Sequence, residues 1–122
     1  MKFKLVLLLA ITVLCGACAS SKYKSPYRQY AWHGFENKYY QFVKNRTEAS
    51  ELEYHDCIDA ILSSRKKGKT KRVPPGIYAE KGMILVKSGH PDVAIRYFKK
   101  EADLYPESKV LMEHLIYRYE KQ

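Results

Sequence analysis

The chain has 122 residues and carries 22 lysines and arginines against 13 aspartates and glutamates, a formal charge of +9. That length allows one small domain with a modest core, and no apolar run beyond the N-terminus approaches membrane length, which excludes a multi-span membrane protein. The basic balance favours acidic partners: lipid headgroups, lipopolysaccharide phosphates, an acidic protein or nucleic acid.

Met1-Lys-Phe-Lys and the mostly apolar stretch from Leu5 to Leu14 form a positive n-region and an apolar run of about ten residues. Such a run is too short to span about 30 Å of hydrocarbon and fits an export signal over residues 1–17. Gly16 and Ala17 place small residues ahead of Cys18. This resembles a bacterial lipobox, whose cysteine is diacylated on sulfur, becomes the new N-terminus and is then N-acylated. Cys15 stands where Leu is usual, and a plain secretory signal cut near Ala19 is the alternative. Each acyl CH₂ contributes about 0.8 kcal/mol of membrane affinity, so three chains anchor the protein durably. Residue 19 is Ala, not the Asp that retains such proteins at the inner membrane, so an outer-membrane anchor facing the periplasm is expected. Export also argues against nucleic acid as a partner.

Removal of residues 1–17 takes away Lys2 and Lys4 and leaves 20 basic against 13 acidic residues, a charge of +7. It also leaves Cys57 with no intramolecular disulfide partner once Cys18 is the anchor. Residues 18–30 are polar, with Ser20, Ser21, Ser25 and Pro26, and read as a tether. Tyr23, Tyr27 and Tyr30 are unusual in an inert linker. Trp32, Phe35, Tyr39, Tyr40 and Phe42 continue the aromatic run through a first helix over 35–44, where packing accounts for most of the rings, and a partner surface is the alternative reading of the tether tyrosines. Residues 31–122 are expected to form one helical domain.

Thr47 can cap a second helix over 48–65, favoured by Glu48, Glu51 and Glu53 near its positive end. On it, Tyr54, Cys57, Ile58, Ile61 and Leu62 share an apolar face, which makes Cys57 a buried thiol. Arg65, Lys66, Lys67, Lys69, Lys71 and Arg72 then put six positive charges into eight residues. A solvated loop is one reading of them, and an anionic surface or acidic partner the other.

Residues 75–108 fill one 34-residue tetratricopeptide (TPR) period, with helices over 76–87 and 91–104. Tyr78 supplies the early aromatic, Gly82 the small residue where helices cross, Leu85 an apolar contact and Gly89 the tight turn. Pro91 suits a first helical turn. Ile95, Phe98, Ala102 and Tyr105 form the buried stripe of the second helix. Lys81 and Glu101 depart from the pattern, where Leu and Ala are common. Ser108 can cap a last helix over 109–121 that covers the end of the array. The first two helices have the layout of a second, degenerate repeat. The fold expected is therefore all-α: TPR-like hairpins, about five helices and a C-terminal capping helix. Tyr78, Leu85, Tyr97 and Trp32 are candidate partner contacts.

His33, His55, His90 and His114 are scattered, with no metal-binding spacing, and His55 and Cys57 point about 200° apart on a helix. His55 and Asp59 can pair at i, i+4, and His90 belongs to a turn. Glu80, Glu101 and Glu107 are dispersed and read as carboxylates on solvated faces or in salt bridges rather than as general acids or bases. No nucleophile motif or phosphate loop occurs, so neither enzymatic activity nor a cofactor is expected.

Tyr30-Ala-Trp32 with Gly34, Tyr39-Tyr40, the run from Val73 to Gly82, Ala94 to Glu101, and Tyr105 to Ser108 with Met112 carry a further likeness. Through them the chain resembles a family of small, functionally uncharacterised TPR-like lipoproteins of Gram-negative bacteria, encoded beside a CsgG-like lipoprotein related to the curli secretion channel. The resemblance implies an accessory role in outer-membrane assembly or surface structures and supplies no catalytic residues. The expected function is a TPR-like docking module for such an envelope partner. The alternative is a structural envelope lipoprotein that binds anionic lipid or lipopolysaccharide through its basic loop. Too few repeats to close an independent array also leave self-association open.

Overall fold

The computed structural model describes residues 29–64 and 68–121. The expected signal peptide, Cys18, most of the tether, and Arg65, Lys66 and Lys67 lie outside the described residues. Among those described, the chain forms five α-helices and no strand: α1 Phe35–Asn45, α2 Glu48–Ser63, α3 Ile77–Lys87, α4 Pro91–Leu104 and α5 Lys109–Glu120. A 3-10 turn, Pro106–Ser108, leads into α5. No described helix is long and apolar enough to cross a membrane.

The helix ends have local causes. Thr47 caps α2 reciprocally: its hydroxyl accepts the Ser50 N–H at 3.2 Å, and the Ser50 hydroxyl accepts the Thr47 N–H at 3.1 Å. Glu48 and Glu51 occupy the first turn, beside the positive end of the helix. α3 closes with Gly89 at φ 81°, the left-handed conformation that glycine adopts without strain. The His90 N–H reaches Leu85 O at 2.9 Å and the Gly89 N–H reaches Val86 O at 3.0 Å, the paired bonds of a Schellman ending. Pro91 then opens α4.

Ser108 departs from its expected role. It precedes α5, but its backbone is already helical and its hydroxyl donates back to Tyr105 O at 2.8 Å instead of accepting from the new helix. The 3-10 turn runs directly into α5, so no extended residue is left to act as a cap. α2 ends at Ser63, two residues short of the expected boundary.

The core has two parts joined through α3. Tyr54, Cys57, Ile58 and Ile61 of α2 pack with Val73, Ile77 and Tyr78, and Trp32, Phe35 and Phe42 close over them. Ala94, Phe98 and Met112 form the second part, with Met83, Leu85, Leu115, Ile116 and Tyr119 around them. Gly82 lets α3 and α4 approach: a Cβ there would stand 2.8 Å from Phe98 Cδ1. The stripe of α4 differs from the expected one. Ala94, Phe98 and Glu101 are the buried positions of α4, with Tyr105 just beyond its end, whereas Ile95 and Ala102 sit partly exposed at the margin. Pairing of α3 with α4 is antiparallel, since the first residue before α3, Gly76, meets Glu101 near the end of α4.

Candidate interaction surfaces

Glu101, expected on a solvated face, is 1% exposed. Its Oε1 accepts the Gly76 N–H at 2.7 Å. Gly76 has no side chain with which to cap α3, and Glu101 of the neighbouring helix satisfies the N–H of Gly76 itself. Burial pushes its carboxyl above the ordinary range, while the N–H groups of Gly76, Ala79 and Tyr78 favour the ionised form. Only Gly76 closes a full hydrogen bond, and Oε2 has no partner among the described residues. The signal was present in the sequence: an acid stands three residues after Phe98 on the core-facing stripe, where an Ala is usual.

Where the chain enters the domain, several elements are tied together. A Cβ at Gly68 would come within 2.7 Å of Gln29 O and 2.8 Å of Tyr30 Cα. Thr70 donates twice to Gln29 O, from its N–H at 3.0 Å and its hydroxyl at 2.9 Å. Gln29 and Tyr30, expected to be the end of a tether, are thus fastened to the basic loop. The Tyr105 hydroxyl donates to Val73 O, and burial followed by the adjacent Tyr30 raises its pKa. Trp32 meets Tyr30 edge-on at 6.1 Å. The Cys57 thiol is buried and donates to His33 O at 3.5 Å. Burial raises its pKa, so a thiolate is disfavoured. Lys69, Lys71 and Arg72 stand exposed on this loop.

A second feature is a cavity of about 150 Å³ between α1, α2 and α3, lined by Tyr39, Phe42, Tyr54, Glu51, Glu80 and Lys87 among others. The Tyr54 hydroxyl donates to Glu80 at 2.8 Å, and Phe42 stacks on the Tyr54 ring at 5.0 Å. Burial and Glu80 both hold the Tyr54 phenol protonated. A more open hollow of about 370 Å³ adjoins it, bounded by Phe42, Val43, Arg46 and Glu51.

The candidate contact residues are largely built into the fold. Tyr78 is 8% exposed and belongs to the first core part. Tyr97 lies half-buried 6.2 Å from it, and the Lys100 ammonium sits 5.4 Å from the Tyr97 ring centre. Leu85 packs beside Phe98, and Trp32 beside the Tyr54 group. Sequence reasoning missed the larger exposed apolar side chains: Tyr40 and Val43 on α1, Leu52 on α2, and Val110, Leu111 and Tyr117 on α5. Lys81, out of place as a core Leu, instead pairs with Asp59 at 2.6 Å and links α2 to α3. His55 therefore does not pair with Asp59 and lies 3.8 Å from Glu51. Among the described residues no group of three or more His, Cys, Asp or Glu side chains is placed to hold a metal ion.

Residues 29–115 match the family described as Domain of unknown function (DUF4810), and the chain belongs to that family. No curated protein and no solved structure matches it. The match begins at Gln29, the residue that Thr70 fastens to the fold.

Proposed function

We propose that this family member is an outer-membrane lipoprotein, acylated at Cys18, whose TPR-like hairpins dock an envelope partner. A CsgG-like lipoprotein is the partner that the sequence resemblance favours, with an assembly or secretion role. The observation that carries the reading is the outer face of the terminal helices. Tyr40 and Val43 on α1 and Val110, Leu111 and Tyr117 on α5 are large, apolar and exposed, with Val110 at 70%. A short stack of hairpins leaves such faces at both ends for a partner or a second copy to cover. The proposal involves no catalytic step, cofactor or metal.

The test is crosslinking in envelope membranes followed by co-purification, comparing wild type with Val43→Asp and Leu111→Asp. These positions lie outside the core, so folding measured by circular dichroism is expected to persist while the partner is lost. Recovery of the same partner with both variants would sink the docking reading. Labelled palmitate should enter the wild-type chain and not Cys18→Ala.

A second reading, a structural lipoprotein holding anionic lipid or lipopolysaccharide, is favoured by the exposure of Lys69, Lys71 and Arg72. It predicts that neutralising these residues, or about 0.5 M salt, abolishes surface binding without affecting the docked partner.

A further inference from the structure

The helices present one end of the domain to the incoming chain. α1 begins there after the turn at His33 and Gly34, and α2 ends there, with the Ser64 hydroxyl bonded to His33 Nε2. α3 begins and α4 ends there, joined by Gly76 and Glu101. The connections at Arg46–Thr47 and at Ser88–His90 therefore lie at the opposite end. Loop 68–72 belongs to the first end, because Thr70 holds Gln29 O with two hydrogen bonds and Gly68 lies against the backbone of residues 29–31. Residues 68–70 of the basic loop are thus fastened to the point of chain arrival.

Lys69, Lys71 and Arg72 are exposed, and none forms an ion pair with a carboxylate among the described residues. Glu36, Asp103 and Glu107 are the exposed carboxylates on the neighbouring helix ends. Ten residues, and so eleven residue-to-residue steps, separate Cys18 from Gln29 in the sequence. At about 3.5 Å each they extend at most about 40 Å. A short tether keeps the headgroups at high effective concentration, so weak contacts by a few cations suffice to orient what it carries.

We infer that this end of the domain is a phospholipid-headgroup surface. Lys69, Lys71 and Arg72 rest on the anionic headgroups of the leaflet that holds the anchor, and the connections at 46–47 and 88–90 point away from it. Val43 and Arg46, which bound the more open hollow, lie toward the end of α1 that is away from the bilayer in this arrangement. This inference rests on the lipid-anchor reading.

Trp32, the chain's one tryptophan, sits at the inferred contact and reports it without labelling. The full acylated chain is reconstituted on vesicles of phosphatidylcholine alone or with phosphatidylglycerol, each carrying the same fraction of lipid with a nitroxide on its headgroup. At low salt, Trp32 emission is expected to be quenched on phosphatidylglycerol vesicles well beyond the phosphatidylcholine level. In about 0.5 M salt, where screening shortens to about 4 Å, the excess should vanish. It should vanish too in the variant carrying Lys69→Glu, Lys71→Glu and Arg72→Glu, which still floats with vesicles and keeps its helical spectrum. Equal quenching on both vesicle types, or an excess that survives in the triple variant, overturns the inference. Flotation with phosphatidylcholine vesicles in high salt reports the anchor alone. A chain that fails to float there overturns the anchor reading and the inference with it, whereas a chain that floats but shows equal quenching on both vesicle types overturns the inference alone.

Discussion

The carboxylate of Glu101 accepts the N–H of Gly76, the residue that opens α3, from inside the protein. Burial holds its carboxyl above the ordinary value of 4.5, so the folded state binds that proton more tightly than the unfolded chain does. Below 4.5 both states are protonated and the favourable contribution is complete. As pH rises from 4.5 through the raised folded value, the unfolded state sheds its proton first and stability falls, then levels off. Glu101→Gln keeps an oxygen for the Gly76 N–H and removes the titration. The melting temperature of the wild type relative to this variant is expected to drop as pH rises from about 4 to 7. The comparison cancels the other carboxylates, and parallel pH profiles would show that Glu101 does not titrate in that window. Glu101→Ala removes the acceptor and opens space, and urea unfolding at neutral pH should show a loss of about 2–4 kcal/mol.

At the level of the elements, the loop carrying Gly68 and Thr70 behaves as a clasp on the chain before α1. A Cβ at Gly68 would meet backbone atoms of Gln29 and Tyr30, which cannot step aside as a side-chain tip can. Gly68→Ala is expected to detach residues 29–31 and speed hydrogen exchange of the Thr70 amide, while α3 to α5 keep their protection. Unchanged exchange at Thr70 would show that the loop absorbs the methyl group. The clasp was not legible in the sequence, because a glycine among cations reads as loop and nothing local pairs residue 68 with residue 29. The hairpin of α3 and α4 was legible, since Gly82, Gly89, Pro91 and Phe98 each make a specific demand of shape. The reciprocal cap at Thr47 was half legible: Thr47 was read as the cap, and Ser50 as its partner was not. The exposed apolar faces escaped notice because one periodicity serves both core and outside when helices pack on two neighbours or one. Lys81 shows the same limit from the other side: a cation at a core-like position became half-buried beside Asp59, which belongs to another helix.

For the whole molecule, the decisive feature is the position of α3 between two unequal partners. Ile77, Tyr78 and Ile84 face the α1–α2 part, whereas Ala79, Met83, Leu85 and Val86 face the part around Phe98. α3 meets α4 along most of its length and meets α2 over fewer residues, with Tyr54–Glu80 and Lys81–Asp59 as polar links. A junction with so few contacts opens before the better-packed half does. Native-state hydrogen exchange in low urea should therefore show α1 and α2 opening at a lower free energy than α3, α4 and α5. Phe42→Ala, which removes the ring stacked on Tyr54, is expected to lower protection in α1 and α2 alone. Phe98→Ala empties a fully buried site at about 3–5 kcal/mol and should lower protection throughout, because the first hairpin loses the surface on which it rests. If Phe42→Ala lowers protection equally in all five helices, the domain is one cooperative unit and the junction at α3 is as firm as the core around Phe98.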